Sequence, residues 1–172
     1  MIVLPLRRGI RAAIRLLALM LVCAAPGGAL AQGTGLTFSG LDAVRGEPIE
    51  LRADRLSVDT DAGETILTGN AVLGQGDMRL AAPEIRIYYT PGSDGSIQRL
   101  EASGGVTLVT AAEAAEAREA VYEIVAGTVS MRGSVILTQG RNVLSGDMLD
   151  VNLRSGTGQM QGNVRSIIQT SP

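Results

Sequence analysis

A short motif recurs along the chain and constrains its fold more than any other feature. The segment Gly69–Gly76 (GNAVLGQG) aligns with Gly133–Gly140 (GSVILTQG), with glycine, leucine, glutamine and glycine at matching positions. Two shorter copies begin at Gly104 and Gly162, so the four leading glycines are separated by 35, 29 and 29 residues. A period of this size indicates stacked supersecondary units.

A second pattern precedes each leading glycine, in which a small residue is followed by apolar or aromatic residues three and five positions later. The small residues are Ala53, Ala82, Ala117 and Gly146, and each lies 16 residues before the next leading glycine except Ala82, for which the distance is 22. One insertion, Pro91–Ser96, explains the longer distance because its six residues have the composition of a turn. Both sequence patterns therefore indicate the same repeat, with one insertion.

The period within each copy is two residues, as in a β-strand. Val135 and Leu137 point to one side of the strand while Ile136 points to the other. Glycines and polar breaks between the copies predict short strands joined by tight turns, and therefore an all-β fold. By propensity alone the segment 111–120 favours helix. Because the repeat continues through it, we expect at most a helical turn near Ala111–Ala115 and a strand by Tyr122.

The N-terminus has the composition of a secretory signal. Four arginines precede the apolar stretch Leu16–Ala25, and Ala29–Ala31 supplies small residues for cleavage. About ten apolar residues fall well short of the roughly 20 that a membrane-spanning helix needs. We therefore expect a cleaved signal peptide at 1–31, a flexible N-terminal segment at 32–47 and one β domain at 48–170.

Charge and composition exclude several classes of function. After the predicted cleavage the chain has 11 arginines and 17 acidic residues, a net charge of −6, so that nucleic acid is not an expected partner. The chain has no histidine, and its one cysteine, Cys23, lies in the predicted signal. Asp54 and Asp147 occupy equivalent repeat positions, as structural residues do. We therefore predict no catalytic residue, no metal site and no cofactor.

Stacking of the repeat units places apolar side chains in rows on one face of the strands. These rows fill an ordinary core or line a groove for alkyl chains. The chain has one Phe, three Tyr and no Trp, which leaves few large side chains to close the space between two sheets and favours the groove. The residues predicted to line the groove are Leu56, Val58, Leu73, Ile85, Ile87, Val106, Leu108, Val135, Leu137, Leu149 and Val151.

The repeated motifs resemble those of the LptA/OstA-like family of periplasmic lipopolysaccharide-transport proteins. The resemblance runs from about Ile49 to Gly162 and is carried by the motifs ADRLSV, LTGNAVLGQGDM, SMRGSV and LSGD, although Ala71 stands where the family usually has Val. It implies an open, twisted β-jellyroll in the periplasm. Such a protein binds lipopolysaccharide, receives it from an inner-membrane export complex that includes a protein of the same fold, and passes it to the N-terminal domain of an outer-membrane translocon.

An open stack of strands leaves an unpaired strand at each end, where main-chain pairing with another protein is possible. We expect these edges near Ile49 and Leu51 at one end and near Val164, Ile167 and Ile168 at the other, and an end-to-end homo-oligomer. Two other interpretations stay open. One is the bitopic inner-membrane member of the same export complex, which keeps its N-terminal helix, and the other is a structural β-repeat surface protein.

The signal-peptide interpretation predicts a mature protein that begins at Gln32 and is recovered in soluble form. N-terminal sequencing and the intact mass of the exported protein check this expectation. Recovery of a chain that begins at Met1 in the membrane fraction would instead support the bitopic alternative.

Overall fold

The computed structural model describes residues 34–38, 46–92 and 95–169, so the predicted signal peptide at 1–31 lies outside the described residues. All regular secondary structure in this part of the chain is β-strand. The strands are β1 (Thr34–Thr37), β2 (Ile49–Arg52), β3 (Arg55–Asp59), β4 (Glu64–Gln75), β5 (Met78–Tyr89), β6 (Ile97–Val109), β7 (Glu113–Glu123), β8 (Thr128–Gln139), β9 (Asn142–Asn152), β10 (Thr157–Gln161) and β11 (Arg165–Ile167).

The strands form one antiparallel sheet that does not close on itself. Its order is β1-β10-β9-β8-β7-β6-β5-β4-β2, with β3 beside β4 and β11 beside β9. Strands β4 to β9 are therefore paired with their neighbours in sequence, and β2 and β3 together form the edge at the N-terminal end of the stack. The all-β class predicted from the repeat is confirmed, and so is the open architecture that the family resemblance implies.

The leading glycines of the repeat mark sharp corners within the long strands. The pairing register shifts at each of these positions in β4, β6 and β8, as it does at a β-bulge. Each glycine has a positive φ, which glycine adopts without steric cost, and so has the residue that follows it. The pairs are Gly69 and Asn70 (77° and 47°), Gly104 and Gly105 (90° and 103°), Gly133 and Ser134 (85° and 54°), and Gly162 and Asn163 (71° and 47°).

The first and last corners are held by the same contacts. The backbone N–H of Asp54 donates to the Gly69 carbonyl at 2.8 Å, and Asn70 Nδ2 donates to Asp54 Oδ2 at 2.9 Å. The equivalent side chains Asp147 and Asn163 are joined by a hydrogen bond of 2.8 Å. A Cβ on Gly69 would lie 2.5 Å from Asp54 Oδ2. The repeated aspartates thus have the structural role that their equivalent positions indicated.

The corners divide the sheet into two walls, which face each other. The first wall contains β1, β3, β10 and the strand segments 64–68, 84–88, 97–103, 119–123, 128–132 and 148–152. The second wall contains β2, β11 and the segments 71–75, 78–82, 106–109, 113–116, 135–139 and 142–146. Strand pairing stays within each wall, so the backbone joins the walls at the corners. The hydrophobic core lies between the two inner faces.

The alanine-rich segment contains no helical turn at Ala111–Ala115. It bends at Ala111 and Ala112, and strand β7 begins at Glu113. The Thr110 hydroxyl accepts the Ala112 and Glu113 backbone N–H groups at 3.3 and 3.1 Å, which fixes the bend. Pairing with β6 on one side and β8 on the other then supplies backbone hydrogen bonds that a helical turn would forfeit. Tertiary pairing therefore overrides helix propensity here, and the strand includes Tyr122 as predicted.

The segment at 32–47, which the sequence predicts to be flexible, contains a strand. Its residues Thr34–Thr37 form β1, which pairs with β10 at the other end of the stack. Phe38 is part of the hydrophobic core. The physical reason is that an open sheet offers an unpaired edge at β10, and this part of the chain satisfies that edge with its own backbone. The other unusual segment, Pro91–Ser96, lies between β5 and β6, where the repeat predicted an insertion.

The alternation of faces along β8 predicts opposite results for two neighbouring substitutions. Leu137 is fully buried between the walls, whereas Ile136 is 44% exposed on the outer face. We expect Leu137→Asp to lower the free energy of unfolding by more than about 3 kcal/mol, because it removes a buried side chain and buries an unpaired charge. The matched variant Ile136→Asp should stay within about 1 kcal/mol of wild type. Urea unfolding of both variants, followed by circular dichroism, tests the assignment, and equal losses would contradict it.

Candidate functional site

Three rows of side chains run across neighbouring strands on the inner faces of the walls. We call them the interior ladders, because each residue lies directly opposite the next one on the neighbouring strand. The first ladder consists of Leu56, Leu67, Ile85, Ala102, Ala120, Met131, Leu149 and Met160. The second consists of Val58, Thr65, Ile87, Leu100, Tyr122, Val129, Val151, Gly158 and Leu36. The third, on the second wall, consists of Leu51, Leu73, Leu80, Leu108, Ala115, Leu137 and Leu144.

Nine of the eleven residues predicted to line a groove lie between the walls. Each of the nine is at most 5% exposed. They are Leu73, Ile85, Ile87, Val106, Leu108, Val135, Leu137, Leu149 and Val151. The interior is therefore shielded from solvent in this structure, and contact of these residues with a lipid stays a prediction.

Leu56 and Val58 differ from the other nine, because they are 57% and 61% exposed. Both belong to the interior ladders, where they lie opposite Leu67 and Thr65. They are exposed because β3 is the edge strand of the first wall, so the ladders continue onto it while the enclosing core does not. The sequence alone cannot show that the inner face is uncovered at this end of the stack.

The interior is almost entirely apolar, and its few buried polar side chains have partners. Thr65 accepts a hydrogen bond of 3.1 Å from the Tyr89 hydroxyl. Glu113 Oε2 accepts one of 2.6 Å from the Thr110 hydroxyl. Among the described residues, no buried side-chain nitrogen or oxygen lacks a hydrogen-bond partner. This environment offers dispersion and hydrophobic contact, which suit alkyl chains rather than a polar ligand.

Two glutamines at equivalent repeat positions hold the N-terminal segment. Gln139 Nε2 donates to the Thr37 carbonyl at 3.0 Å, and Gln75 Nε2 donates to the Glu47 carbonyl at 3.1 Å. The Tyr122 hydroxyl, on the first wall, donates to Gln75 Oε1 at 3.0 Å and so links the two walls. The repeat aligns these glutamines, yet the sequence alone predicts no role for either, because their acceptors are backbone atoms of a segment outside the repeat.

The two ends of the stack carry the predicted partner-strand residues. Ile49 and Leu51 on β2 are partly buried against the core. At the other end Val164 is 36%, Ile167 65% and Ile168 68% exposed, and β11 pairs with β9. On the second wall β11 is the last strand, and its use as a partner-strand edge stays a prediction. On the first wall the corresponding edge is occupied, because β1 covers β10.

The ionisable groups that interact most strongly lie on the outer face of the first wall. A hydrogen bond of 2.9 Å to Glu84 is the largest of several effects that raise the pKa of Arg86 above its usual value. Desolvation, followed by a hydrogen bond of 3.0 Å to Glu101, raises the pKa of Tyr88 above that of an ordinary tyrosine. Arg99 stacks on the Tyr88 ring at 4.7 Å. These groups stabilise neighbouring strands and do not face the interior.

The described residues contain neither a metal-binding cluster nor a membrane-spanning helix. No group of three or more His, Cys, Asp or Glu side chains is arranged to hold a metal ion within 34–38, 46–92 and 95–169. In the same ranges, no helix is long and apolar enough to cross a membrane.

Comparison with known proteins places this architecture in a family. Residues 50–157 match the model of the family described as LptA/(LptD N-terminal domain) LPS transport protein. An uncharacterized protein of Rhizobium meliloti (strain 1021) is 30% identical over 139 residues, which cover 77% of this chain and 75% of that protein. A solved structure of similar fold is LptH of Pseudomonas aeruginosa, the LptA-homologous periplasmic component of its lipopolysaccharide transport device. It has a TM-score of 0.65 and 15% identity, and the match covers 73% of this chain and 98% of LptH. The family model spans more than half of the chain, and the chain therefore belongs to the LptA/LptD N-terminal domain family of LPS transport proteins.

Proposed function

We propose that this protein is a periplasmic carrier that binds the acyl chains of lipopolysaccharide between its two walls and performs no chemistry on them. The observation that carries the proposal is the continuity of the interior ladders. The first ladder has eight residues on eight strands, and at the usual spacing of neighbouring strands it extends over about 34 Å. A path for alkyl chains requires a continuous apolar row of this kind.

The way in which the walls are connected gives alkyl chains a route into the interior. Because strand pairing stays within each wall, the walls can separate by pivoting at the corners without breaking the ladders of backbone hydrogen bonds. The glycines at the corners permit such a change of angle. Each methylene group that enters gains roughly 0.8 kcal/mol from burial, so several together offset the loss of contacts between the walls.

The partners of the proposed carrier follow from the same fold. The family includes the N-terminal domain of LptD together with LptA, and LptH is a periplasmic component of a transport device. We infer that this protein bridges an inner-membrane export complex, through a protein of the same fold, to the N-terminal domain of an outer-membrane translocon. Strand pairing at β2 and β3 on one side and at β11 on the other would make these contacts.

Strand direction also supports end-to-end assembly of identical copies. Each wall has a free rim, which is its side away from the corners, where turns join the strands. In the first wall β3 runs from the corner toward this rim, and an antiparallel neighbour of β10 has to run the same way. In the second wall β2 runs from the rim toward the corner, as an antiparallel neighbour of β11 must. A second copy therefore extends both walls at once. Leu56 and Val58 of that copy would then continue the first and second ladders.

Lipid binding in the ladders predicts a difference between two adjacent exposed positions on β3. A photoreactive phenylalanine analogue at Val58 lies on the ladder face, and one at Ser57 lies on the outer face. Both side chains are exposed, so neither replacement disturbs a buried contact. After incubation with purified lipid A and irradiation, we expect a lipid adduct from position 58 and little or none from position 57. Denaturing mass spectrometry measures the adducts, and equal labelling at both positions would refute binding along the ladders.

A further inference from the structure

The two ends of the stack differ in how their inner faces are covered. At the N-terminal end the first and second ladders finish on β3 with the exposed side chains of Leu56 and Val58. At the C-terminal end the second ladder finishes on Leu36 of β1, and Phe38 follows it into the core. One end is thus open, while the other is closed by a segment from the start of the described chain.

Phe38 fills its position closely. Its ring packs on Gly158, where the approach leaves no room for a Cβ atom. Leu108, Ala115 and Leu137 of the second wall and Val151 of the first wall line the same position, and the void left beside the ring is only about 10 Å³. Phe38 is 6% exposed and is the only phenylalanine in the chain. The ring therefore contacts both walls and closes this end of the interior.

Strand β1 is attached to the domain by few contacts. It has four residues paired with β10, from Thr34 opposite Met160 to Thr37 opposite Thr157. Beyond these pairs, the Phe38 N–H donates to the Gly156 carbonyl at 2.6 Å, and Gln139 supports the Thr37 carbonyl. Strand β3, by comparison, makes five such pairs with β4. A strand of the size of β3 can therefore replace β1 on β10 with a similar number of backbone hydrogen bonds.

Direction and register show which strand fits this position. Strand β1 runs from the corner toward the free rim, as β3 does. A β3 strand placed on β10 puts Leu56 opposite Met160 and Val58 opposite Gly158, as the ladders require. We propose that β1 and Phe38 form an internal cap, which occupies the docking position for β3 of a second copy and must leave before two copies join. The inference rests on the end-to-end assembly in the proposed function.

Displacement of the cap has a second consequence for the interior. Because Phe38 continues directly from β1, a neighbour that replaces β1 also draws the ring out of its position. The ladders of the two copies then meet with no aromatic side chain between them. A single copy is closed at its C-terminal end, whereas an assembled chain has one continuous apolar interior. Assembly and opening are thereby linked in one exchange of strands.

A disulfide that locks the cap tests this directly. Thr37 and Thr157 lie opposite each other and are both exposed. Opposite residues of antiparallel strands have Cα atoms about 4.5–5.5 Å apart, within the range of disulfides. In the chain from Gln32 onward there is no cysteine to interfere. We expect oxidised Thr37→Cys/Thr157→Cys protein to stay monomeric in sedimentation velocity over a concentration series. The same protein after reduction should assemble as wild type does.

A second variant weakens the cap without a cross-link. Phe38→Asp places a charge in the apolar position of the ring, which disfavours the capped state. We expect this variant to assemble at a protein concentration at least about tenfold lower than wild type, because the fraction competent for docking rises. The double variant Phe38→Asp/Leu56→Asp is the matched control. Its second charge lies on the exposed ladder face of β3, so it should block docking and restore the monomer.

The outcomes separate this inference from the proposed function. Assembly of the oxidised disulfide variant to the same extent as its reduced form would overturn the cap, and so would a Phe38→Asp variant that assembles no better than wild type. Assembly of the double variant equal to that of Phe38→Asp would show that β3 is not the docking strand. Native mass spectrometry with lipid A on the same samples reports carrier function separately. If lipid is retained but the predicted assembly does not occur, the carrier function stands and the cap is refuted. If no sample retains lipid, the carrier function is refuted, and the sedimentation results still decide whether the cap exists.

Discussion

The positive-φ corners are the constraint on which the rest of this structure depends. At each repeat, a glycine and the residue after it adopt left-handed backbone conformations, and the long strand bends there. Without these bends the six long strands would form one open sheet with a single apolar face exposed. With them, the two halves of every strand place their apolar side chains against each other. The corners thus create the interior and leave it enclosed by two walls that are paired separately.

Because the walls are paired separately, the interactions that hold the strands in register differ from those that enclose the interior. Backbone hydrogen bonds within each wall hold the strands in register, and the contacts between the walls are mainly apolar side chains of moderate size. The Tyr122–Gln75 and Gln139–Thr37 hydrogen bonds are exceptions, since each of them joins the first wall to the second. Hydrophobic contact has no directional requirement, so alkyl chains can substitute for the facing wall. The fold therefore keeps its shape through one set of interactions and accommodates its proposed ligand through another.

The sequence could predict what the repeat controls and little beyond it. The all-β class, the insertion at Pro91–Ser96 and the inward direction of Leu137 and Val151 all follow from periodicity, and the structure agrees with them. Local propensity misjudged Ala111–Ala115, because pairing on both sides outweighs the preference of alanine for helix. The cap at Thr34–Phe38 could not be found in this way. It lies outside the repeat, pairs with a strand more than a hundred residues away, and is held through backbone carbonyls that carry no sequence signal.

Alkyl chains are proposed to enter between the walls as these pivot at the corners, and the distance between the free rims measures this movement most directly. Spin labels on cysteines at Val125 and Arg141 report this distance, because both residues are exposed in turns at opposite ends of β8. Labels at Ala62 and Val125, both in turns of the first wall, provide the control. On addition of lipid A to the purified protein, pulsed electron paramagnetic resonance should show the first distance increase while the second stays constant. Lipid A bound with both distances unchanged would contradict the account.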